Sequence, residues 1–226
     1  MKIAIDLIVN KGVHGTELFS VNVIRALAVA NPDWEIHLFI NRNLIGFVQE
    51  QLLGLPNVIF ITIRLKGDLS LIVAQQVYLP IKVLLLNSQI VYSASPFFSW
   101  LAQIKKINTI HDAAYGRYGE FRNIFAKLYI KCNVLLSRVL NINVVTVSNF
   151  SQSELVKYYQ LRPELITVIS GGVNKLPEPN YSGDDLERKF QLVTQRYFFY
   201  IGSSLGRKNL PFLIRSFQTF HHVHST

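Results

Sequence analysis

The sequence opens with KIAIDLIVNKGVHGTELFSVNVIRALAVA, residues 2–30, and this stretch decides the fold. Its first part, residues 2–9, is apolar and rich in β-branched side chains, which predicts a buried strand. Its last part, residues 16–30, has apolar side chains three or four positions apart, which predicts a helix. Gly12 and Gly15 lie between them, in a loop whose N–H groups can approach an anion. An ordinary strand-to-helix turn would use the same residues.

The same alternation continues along the chain. Further strands are predicted at residues 35–40, 57–63, 89–93, 107–111, 143–147 and 165–169, and helices at 69–86 (bent near Pro80), 120–140 and 148–159. Strands that alternate with helices predict a parallel sheet. We therefore expect an α/β fold, a Rossmann-like parallel sheet flanked by helices, with ligands beyond the carboxyl ends of the strands.

Composition suggests three segments. The 226 residues are 50% hydrophobic and 16% charged, which is ample for a core. Residues 175–195 contain prolines, a glycine and paired aspartates with little apolar periodicity, which is typical of a linker. We predict a domain at 1–174, a linker at 175–195, and a single strand–helix unit at 196–226 that begins a truncated second domain.

Charge and cysteine content exclude several classes of protein. The net charge is +9, but the lysines and arginines are scattered and no nucleic-acid-binding motif is present, so we expect no nucleic acid partner. The single cysteine excludes an internal disulfide and a thiolate zinc site. We find no signal peptide or membrane span, and expect a cytoplasmic chain, or one peripheral at the inner face of the membrane.

One helix combines an apolar face with basic residues. Lys127, Lys131 and Arg138 are spaced so that they share one flank of the helix predicted at 120–140. This arrangement suits contact with an anionic membrane. A solvated helix edge would show the same pattern.

Polar residues follow three predicted strands. His111 and Asp112 come at the end of one strand, where a histidine can hydrogen-bond to a sugar hydroxyl or a phosphate, or can be a structural histidine. Ser148 follows another strand and either contacts a ligand or caps the next helix. Arg207 and Lys208 lie in a glycine-flanked loop and suit a diphosphate, since arginine can bind two oxygens at once.

A dinucleotide-dependent oxidoreductase is disfavoured. Its phosphate loop would have glycines in the pattern G-x-G-x-x-G and an acid after the second strand. Here the glycines are Gly12 and Gly15, and Asn41 and Arg42 follow the second strand.

Four stretches together resemble the retaining glycosyltransferases of family 4, which have the GT-B fold. They are MKIAID with Gly15-Thr16-Glu17, TIHD at 109–112, VTVSNFS at 145–151 with ITVISGGV at 166–173, and YIGS at 200–203 with RKNL at 207–210. Their order and spacing cover nearly the whole chain.

The resemblance implies roles for these residues. It assigns His111 to catalysis through contact with the transferred sugar. It assigns the donor, a nucleotide-sugar, to Gly15, Thr16, Gly202, Ser203, Arg207 and Lys208. Asp112 and Ser148 would contact the acceptor or give structural support. No cofactor and no metal are expected, because the cations neutralise the leaving diphosphate.

The resemblance also implies a reaction, and the sequence departs from the family pattern in two places. It implies transfer of a hexose, mannose or rhamnose in the nearest subgroup, with retention, to a cell-surface glycan or lipid-linked acceptor. Gly171 stands where the family usually has asparagine, and we expect the chain to end before the paired glutamates that hold the donor. The alternative is a non-catalytic Rossmann-like binding module, or a pseudoenzyme fragment without a donor site.

Overall fold

A computed structural model of the chain describes residues 1–9, 15–113, 124–172, 183–191, 197–202 and 206–224. The chain divides into two compact units, Met1–Gly172 (unit 1) and Val173–Thr226 (unit 2). The described residues of unit 1 form a parallel sheet with helices between successive strands, which confirms the predicted α/β class.

The sheet has seven strands, all of which pair in parallel. They are β1 Lys2–Leu7, β2 Glu35–Asn41, β3 Val58–Ile63, β4 Ile90–Ser93, β5 Lys105–Thr109, β6 Asn143–Thr146 and β7 Ile166–Val168. Their spatial order is β3-β2-β1-β4-β5-β6-β7, so the direction of winding reverses between β1 and β4. In open parallel sheets, ligands bind at the carboxyl ends of the strands beside such a reversal.

The helices of unit 1 are α1 Gly15–Ala30, α2 Ile45–Gln51, α3 Asp68–Leu85, α4 Ile124–Val139 and α5 Asn149–Tyr159. The sequence analysis did not predict α2. This helix has only seven residues, and Val48 is the one residue within it that is buried, so it is too short to display a helical period.

The two faces of β1 belong to different cores, because successive side chains of a strand point to opposite faces. Ile5 packs with Ile24 of α1 and Val48 of α2. Ala4 packs on the other face, with Leu79 and Val83 of α3. Helices α1 and α3 therefore cover opposite faces of the sheet.

Helix α3 contains a π turn. Its α-helical parts, Asp68–Val73 and Leu79–Leu85, flank a π-helical turn at Ala74–Tyr78, in which the N–H of Leu79 donates to the carbonyl of Ala74. The sequence predicted an irregularity near Pro80, which has no N–H to donate. The structure places the wide turn immediately before that proline.

Helix α3 is also long and apolar enough to cross a membrane, with a mean hydropathy of 1.4 over its 18 residues. Length and composition alone are weak support for a span, and buried core helices pass the same test. Its inner side packs on the sheet through Leu71, Ala74, Leu79 and Val83. We therefore interpret α3 as a helix of the fold.

Unit 2 differs from the sequence-based prediction in two places. Helix α6, Gly183–Phe190, lies inside the segment predicted as a linker, and α7, Leu210–His224, follows later. The prediction of a strand at Tyr197–Ile201 is wrong, because these residues form no strand and are all exposed. An apolar segment forms a strand only where a neighbouring strand accepts its hydrogen bonds, and no described residue pairs with this one.

Candidate functional site

The predicted site residues of unit 1 meet at the carboxyl edge of the sheet. His111 lies two residues beyond the last residue of β5, and the N–H of the intervening Ile110 still donates to the carbonyl of Val145 in β6. The hydroxyl of Thr146 at the end of β6 lies 3.5 Å from the His111 carbonyl oxygen. The backbone of His111 is therefore held at the end of the sheet, where parallel folds bind ligands.

The His111 ring is packed but is not saturated with hydrogen bonds. Its edge meets the ring of Phe19 in α1, with centroids 5.3 Å apart and planes at 79°. Nε2 is buried and has no hydrogen-bond partner among the residues that the structure describes. Buried polar atoms usually have partners, so this ring nitrogen is available to a ligand at the sheet edge, although several other buried side-chain atoms of the described residues also have no hydrogen-bond partner.

Burial lowers the pKa of His111 below its ordinary value, while the negative charges of Asp112 and Glu17 raise it in part. The lowered pKa favours a neutral imidazole at neutral pH. A neutral imidazole has one nitrogen that donates and one that accepts. The ring can therefore form a hydrogen bond with a hydroxyl group but carries no charge for a phosphate.

Glu17 is a functional candidate that the sequence analysis missed. It is buried in the first turn of α1, and its Oε2 accepts a hydrogen bond of 2.9 Å from the Thr16 hydroxyl. The signal was present in the spacing, because Glu17 lies four and seven residues before Val21 and Ile24 and so shares their inward face. An acid on the buried face of an amphipathic helix is unusual and indicates a specific environment.

The start of α1 bears on the donor prediction. Gly15 is the first residue of the helix and Thr16 the second, while residues 10–14 of the loop lie outside the described residues. A Cβ on Gly15 would contact nothing within 4 Å, so the fold itself leaves room for a side chain or a ligand there. Donor binding by Gly15 and Thr16 stays a prediction.

Gly171, which follows β7, lies near the ring of Phe19 in α1. A Cβ there would sit 3.9 Å from the Phe19 ring, which is ordinary contact. Phe19 thus lies near both His111 and Gly171. The structure therefore brings together three of the stretches that carry the family resemblance, those at the ends of β1, β5 and β7.

Ser148 has a defined structural role. Its side-chain oxygen accepts a hydrogen bond of 3.0 Å from the N–H of Ser151 and caps α5. The capping alternative is confirmed for Ser148, and acceptor contact by this residue or by Asp112 stays a prediction.

The donor residues predicted in unit 2 are described only in part. Gly202 and Lys208 are exposed, and Lys208 ends a 3₁₀ turn at Gly206–Lys208. Ser203 lies outside the described residues, as does the side chain of Arg207. Their roles stay predictions.

A buried polar network lies behind the carboxyl edge of β1, and the sequence analysis missed it. Asp6 accepts hydrogen bonds from the N–H of Ile8 at 3.0 Å and from the amide of Gln75 at 3.2 Å. Gln75 in turn accepts from the hydroxyl of Tyr129 in α4, to which Gln76 also donates. The network ties the segment that leads out of β1 to α3 and α4.

Burial raises the pKa of Asp6 to about 7, and the two hydrogen bonds lower it in part. The sequence did contain a signal, an acid inside an otherwise apolar strand. Such acids are rarely buried without a partner.

Other features lie away from this edge. An open depression of about 670 Å³, lined by Leu53, Pro56 and Phe60, lies where the chain enters β3, at the amino end of that strand. The described residues include no group of three or more His, Cys, Asp or Glu side chains that could hold a metal ion. The expectation of metal-free catalysis stays a prediction.

Comparison with known proteins identifies the family of this chain. Residues 13–175 match the model of Glycosyltransferase Family 4. No curated protein sequence matches the chain at a significant level. Similar solved structures include a glycosyltransferase from Rickettsia africae ESF-5, with 16% identity over 86% of this chain and 50% of that chain at a TM-score of 0.49.

Two further structures resemble the chain. They are the UDP-GlcNAc 2-epimerase from Methanocaldococcus jannaschii (13% identity, 76% of this chain, 46% of that chain, TM-score 0.51) and Arabidopsis thaliana UGT89C1 complexed with UDP (11%, 86%, 55%, 0.49). At these identities the likeness to the epimerase supports the fold alone. The chain spans about half the length of the structures it matches.

Proposed function

We propose, from the premise that this chain belongs to glycosyltransferase family 4, that it takes part in transfer of a hexose from a nucleotide-sugar to a glycan or lipid-linked acceptor. Membership rests on the family match across residues 13–175, most of unit 1. In this reaction the bond from the sugar to the diphosphate breaks, and a bond from the sugar to an acceptor oxygen forms. We further propose that the configuration is retained and that the sugar is mannose or rhamnose.

The observation that carries the proposal is the unpartnered Nε2 of His111. A buried nitrogen without a hydrogen bond costs about 1–3 kcal/mol, which a ligand hydroxyl in this place would offset. The depressed pKa keeps the ring neutral, which suits a sugar hydroxyl better than a phosphate. We assign to His111 the contact with the transferred sugar.

The charge on the leaving diphosphate must be stabilised by groups other than His111. Charge that develops on a leaving group is stabilised by fixed donors and cations. We assign this role to the N–H groups at the start of α1, beside Gly15 and Thr16, and to Gly202, Ser203, Arg207 and Lys208. The exposed Lys208 and the helix start at Gly15 support the assignment, and no metal is required by it.

Calorimetric titration with a panel of nucleotide-sugars and free nucleotides tests the proposal. We expect one nucleotide-sugar to bind more tightly than its free nucleotide, because the sugar hydrogen-bonds to His111. His111→Ala should weaken binding of the nucleotide-sugar about fivefold or more and leave binding of the free nucleotide unchanged, since one such bond contributes about 1 kcal/mol or more.

The matched control is His222→Ala, because His222 is exposed in α7 and has no assigned role. This variant should bind like the wild type. A folded sample that binds no nucleotide or nucleotide-sugar would overturn donor binding by this chain and favour the non-catalytic binding module instead.

A further inference from the structure

Helix α3 exposes an apolar stripe on its outer side. Six aliphatic side chains make up this stripe, and each is at least half exposed: Leu69, Val73, Val77, Ile81, Leu84 and Leu85. The first four are spaced four residues apart, so they lie along one side of the helix. Single exposed aliphatic residues are ordinary, but a contiguous apolar patch of this kind marks an interaction surface.

The stripe cannot turn inward, because the opposite side of α3 is fixed. Leu71, Leu79 and Val83 are buried against the sheet. Gln75 and Gln76 on the same inner side hydrogen-bond to Asp6, to Tyr129 and to the carbonyl of Phe98. Rotation would break these bonds and leave buried polar groups unpaired, so the outer stripe is a permanent surface of unit 1.

The neighbouring helix α4 also exposes apolar side chains. Leu128, Leu135 and Val139 are each more than half exposed on α4. Tyr129 of the same helix hydrogen-bonds to both glutamines of α3, so the two helices are direct neighbours on one face of the sheet. We call the α3 stripe and the exposed apolar residues of α4 together the outer face.

Charge indicates what the outer face binds. The sequence from 68 to 153, which supplies both helices, has eight Lys and Arg residues and three Asp and Glu residues, of which Asp68 begins α3. Lys131 and Arg138 are exposed on α4, and Lys66 is exposed just before α3. An apolar surface bordered by cations and nearly free of acids complements an anionic lipid bilayer.

Lys131 and Arg138 belong to the sequence-based hypothesis of membrane contact through α4, which stays a prediction. The side chain of Lys127, the third residue of that hypothesis, lies outside the described residues. The apolar part of the surface, however, is contributed mainly by α3.

We propose that unit 1 docks on the surface of an anionic membrane through the outer face, with α3 in the plane of the interface. The aliphatic side chains enter the boundary between headgroups and acyl chains, and the cations lie at the headgroups. The helix does not cross the bilayer, because its inner side remains packed on the sheet. This inference does not depend on the transfer reaction.

Vesicle flotation with the whole chain tests the proposal. Vesicles of phosphatidylcholine with about one third phosphatidylserine should bind the chain about tenfold or more better than pure phosphatidylcholine, and added salt should weaken the binding, because each cation near the surface contributes about 1 kcal/mol. Val77→Glu should lower the partition coefficient about tenfold, since an aliphatic side chain is withdrawn from the lipid and an anion is added.

The matched control is Val29→Glu. Val29 is 61% exposed and Val77 50% exposed, but Val29 lies on α1, which covers the opposite face of the sheet. The same substitution adds the same charge in both variants, and both keep unit 2 unchanged. We expect Val29→Glu to bind vesicles within about twofold of the wild type, as expected for a surface change outside the contact.

Two results would overturn the proposal. One is equal vesicle binding by Val77→Glu and Val29→Glu. The other is a wild type that binds no anionic vesicles and forms a dimer in sedimentation velocity that Val77→Glu dissociates, because a second copy of the chain would then cover the outer face. Circular dichroism of both variants shows that a loss of binding is not a loss of folding.

Discussion

Units 1 and 2 carry the same sequence pattern with different structural results. In unit 1, a β-branched run such as residues 2–7 pairs with strands on both sides and is buried. In unit 2, Tyr197–Ile201 is also apolar and consists of aromatic and β-branched residues that favour strands, yet it forms no strand and is exposed. The apolar helix α7 that follows has no buried residue. Local pattern therefore predicts a strand correctly only where neighbouring strands complete it.

The largest expected contrast between the units concerns two phenylalanines. Phe39 in β2 is fully buried, whereas Phe199 in unit 2 is 77% exposed. Phe39→Ala should lower the free energy of unfolding by about 3–5 kcal/mol, because it removes contacts and leaves a cavity. Phe199→Ala should change it by less than about 0.5 kcal/mol. Urea denaturation followed by circular dichroism measures both, and similar losses would show that unit 2 has a core of its own.

A second contrast is the pH dependence that Asp6 gives to unit 1. Its pKa rises from 3.8 to about 7 in the folded chain, so the folded state binds more protons between these values. The free energy of unfolding should therefore fall as the pH rises from about 4 to 7, and level off above that, by about 2–4 kcal/mol in total.

Asp6→Asn should remove this slope, because the amide does not titrate. Asp33→Asn, at an exposed position in a turn, should keep it. Urea denaturation at several pH values distinguishes the variants. A slope that survives in Asp6→Asn would show that other groups, and not Asp6, cause it.

The third contrast is functional and sets His111 of unit 1 against His222 of unit 2. In an enzyme that combines unit 1 with a complete donor domain, His111→Ala should lower the rate of sugar transfer about 10²-fold, the scale for loss of one well-placed contact in the transition state. The exposed His222→Ala should leave the rate unchanged. The measurement is the initial rate of transfer from the nucleotide-sugar found by titration, and undiminished turnover in His111→Ala would exclude the role assigned to it.

The smallest contrast compares two helix hydroxyls. Ser148 caps α5, so Ser148→Ala should lower the free energy of unfolding by about 1 kcal/mol. Thr219 in α7 donates only to the carbonyl of Arg215 one turn earlier, so Thr219→Ala should be neutral or slightly stabilising. Thermal denaturation of the two variants checks this, and an equal loss in both would show that α7 is held as firmly as α5.

The sequence predicted the alternation of unit 1 because its strands and its longer helices have a strong period, which the seven-residue α2 does not. It could not predict that the charge of Glu17 raises the pKa of His111 in part, or that Gln75 donates a hydrogen bond to Asp6, because these interactions join residues distant in sequence. His111 itself was predictable from position, since ligands lie after the strands of a parallel sheet. The unpaired state of its Nε2 is visible only in three dimensions.

Because α3 contains the π turn at Ala74–Tyr78, the fold constrains the number of residues in this helix as well as their identity. Successive residues of an α-helix are rotated by about 100°, so side chains four apart drift steadily around a regular helix. The five-residue bond from Leu79 to Ala74 takes in one extra residue and offsets part of that drift. Deleting a single residue from this turn should rotate Leu79 and Val83 away from the sheet. Substitutions in the outer stripe should leave both residues in place, because they do not change the number of residues in the turn. We therefore expect homologous chains to vary the identity of these residues far more readily than their number.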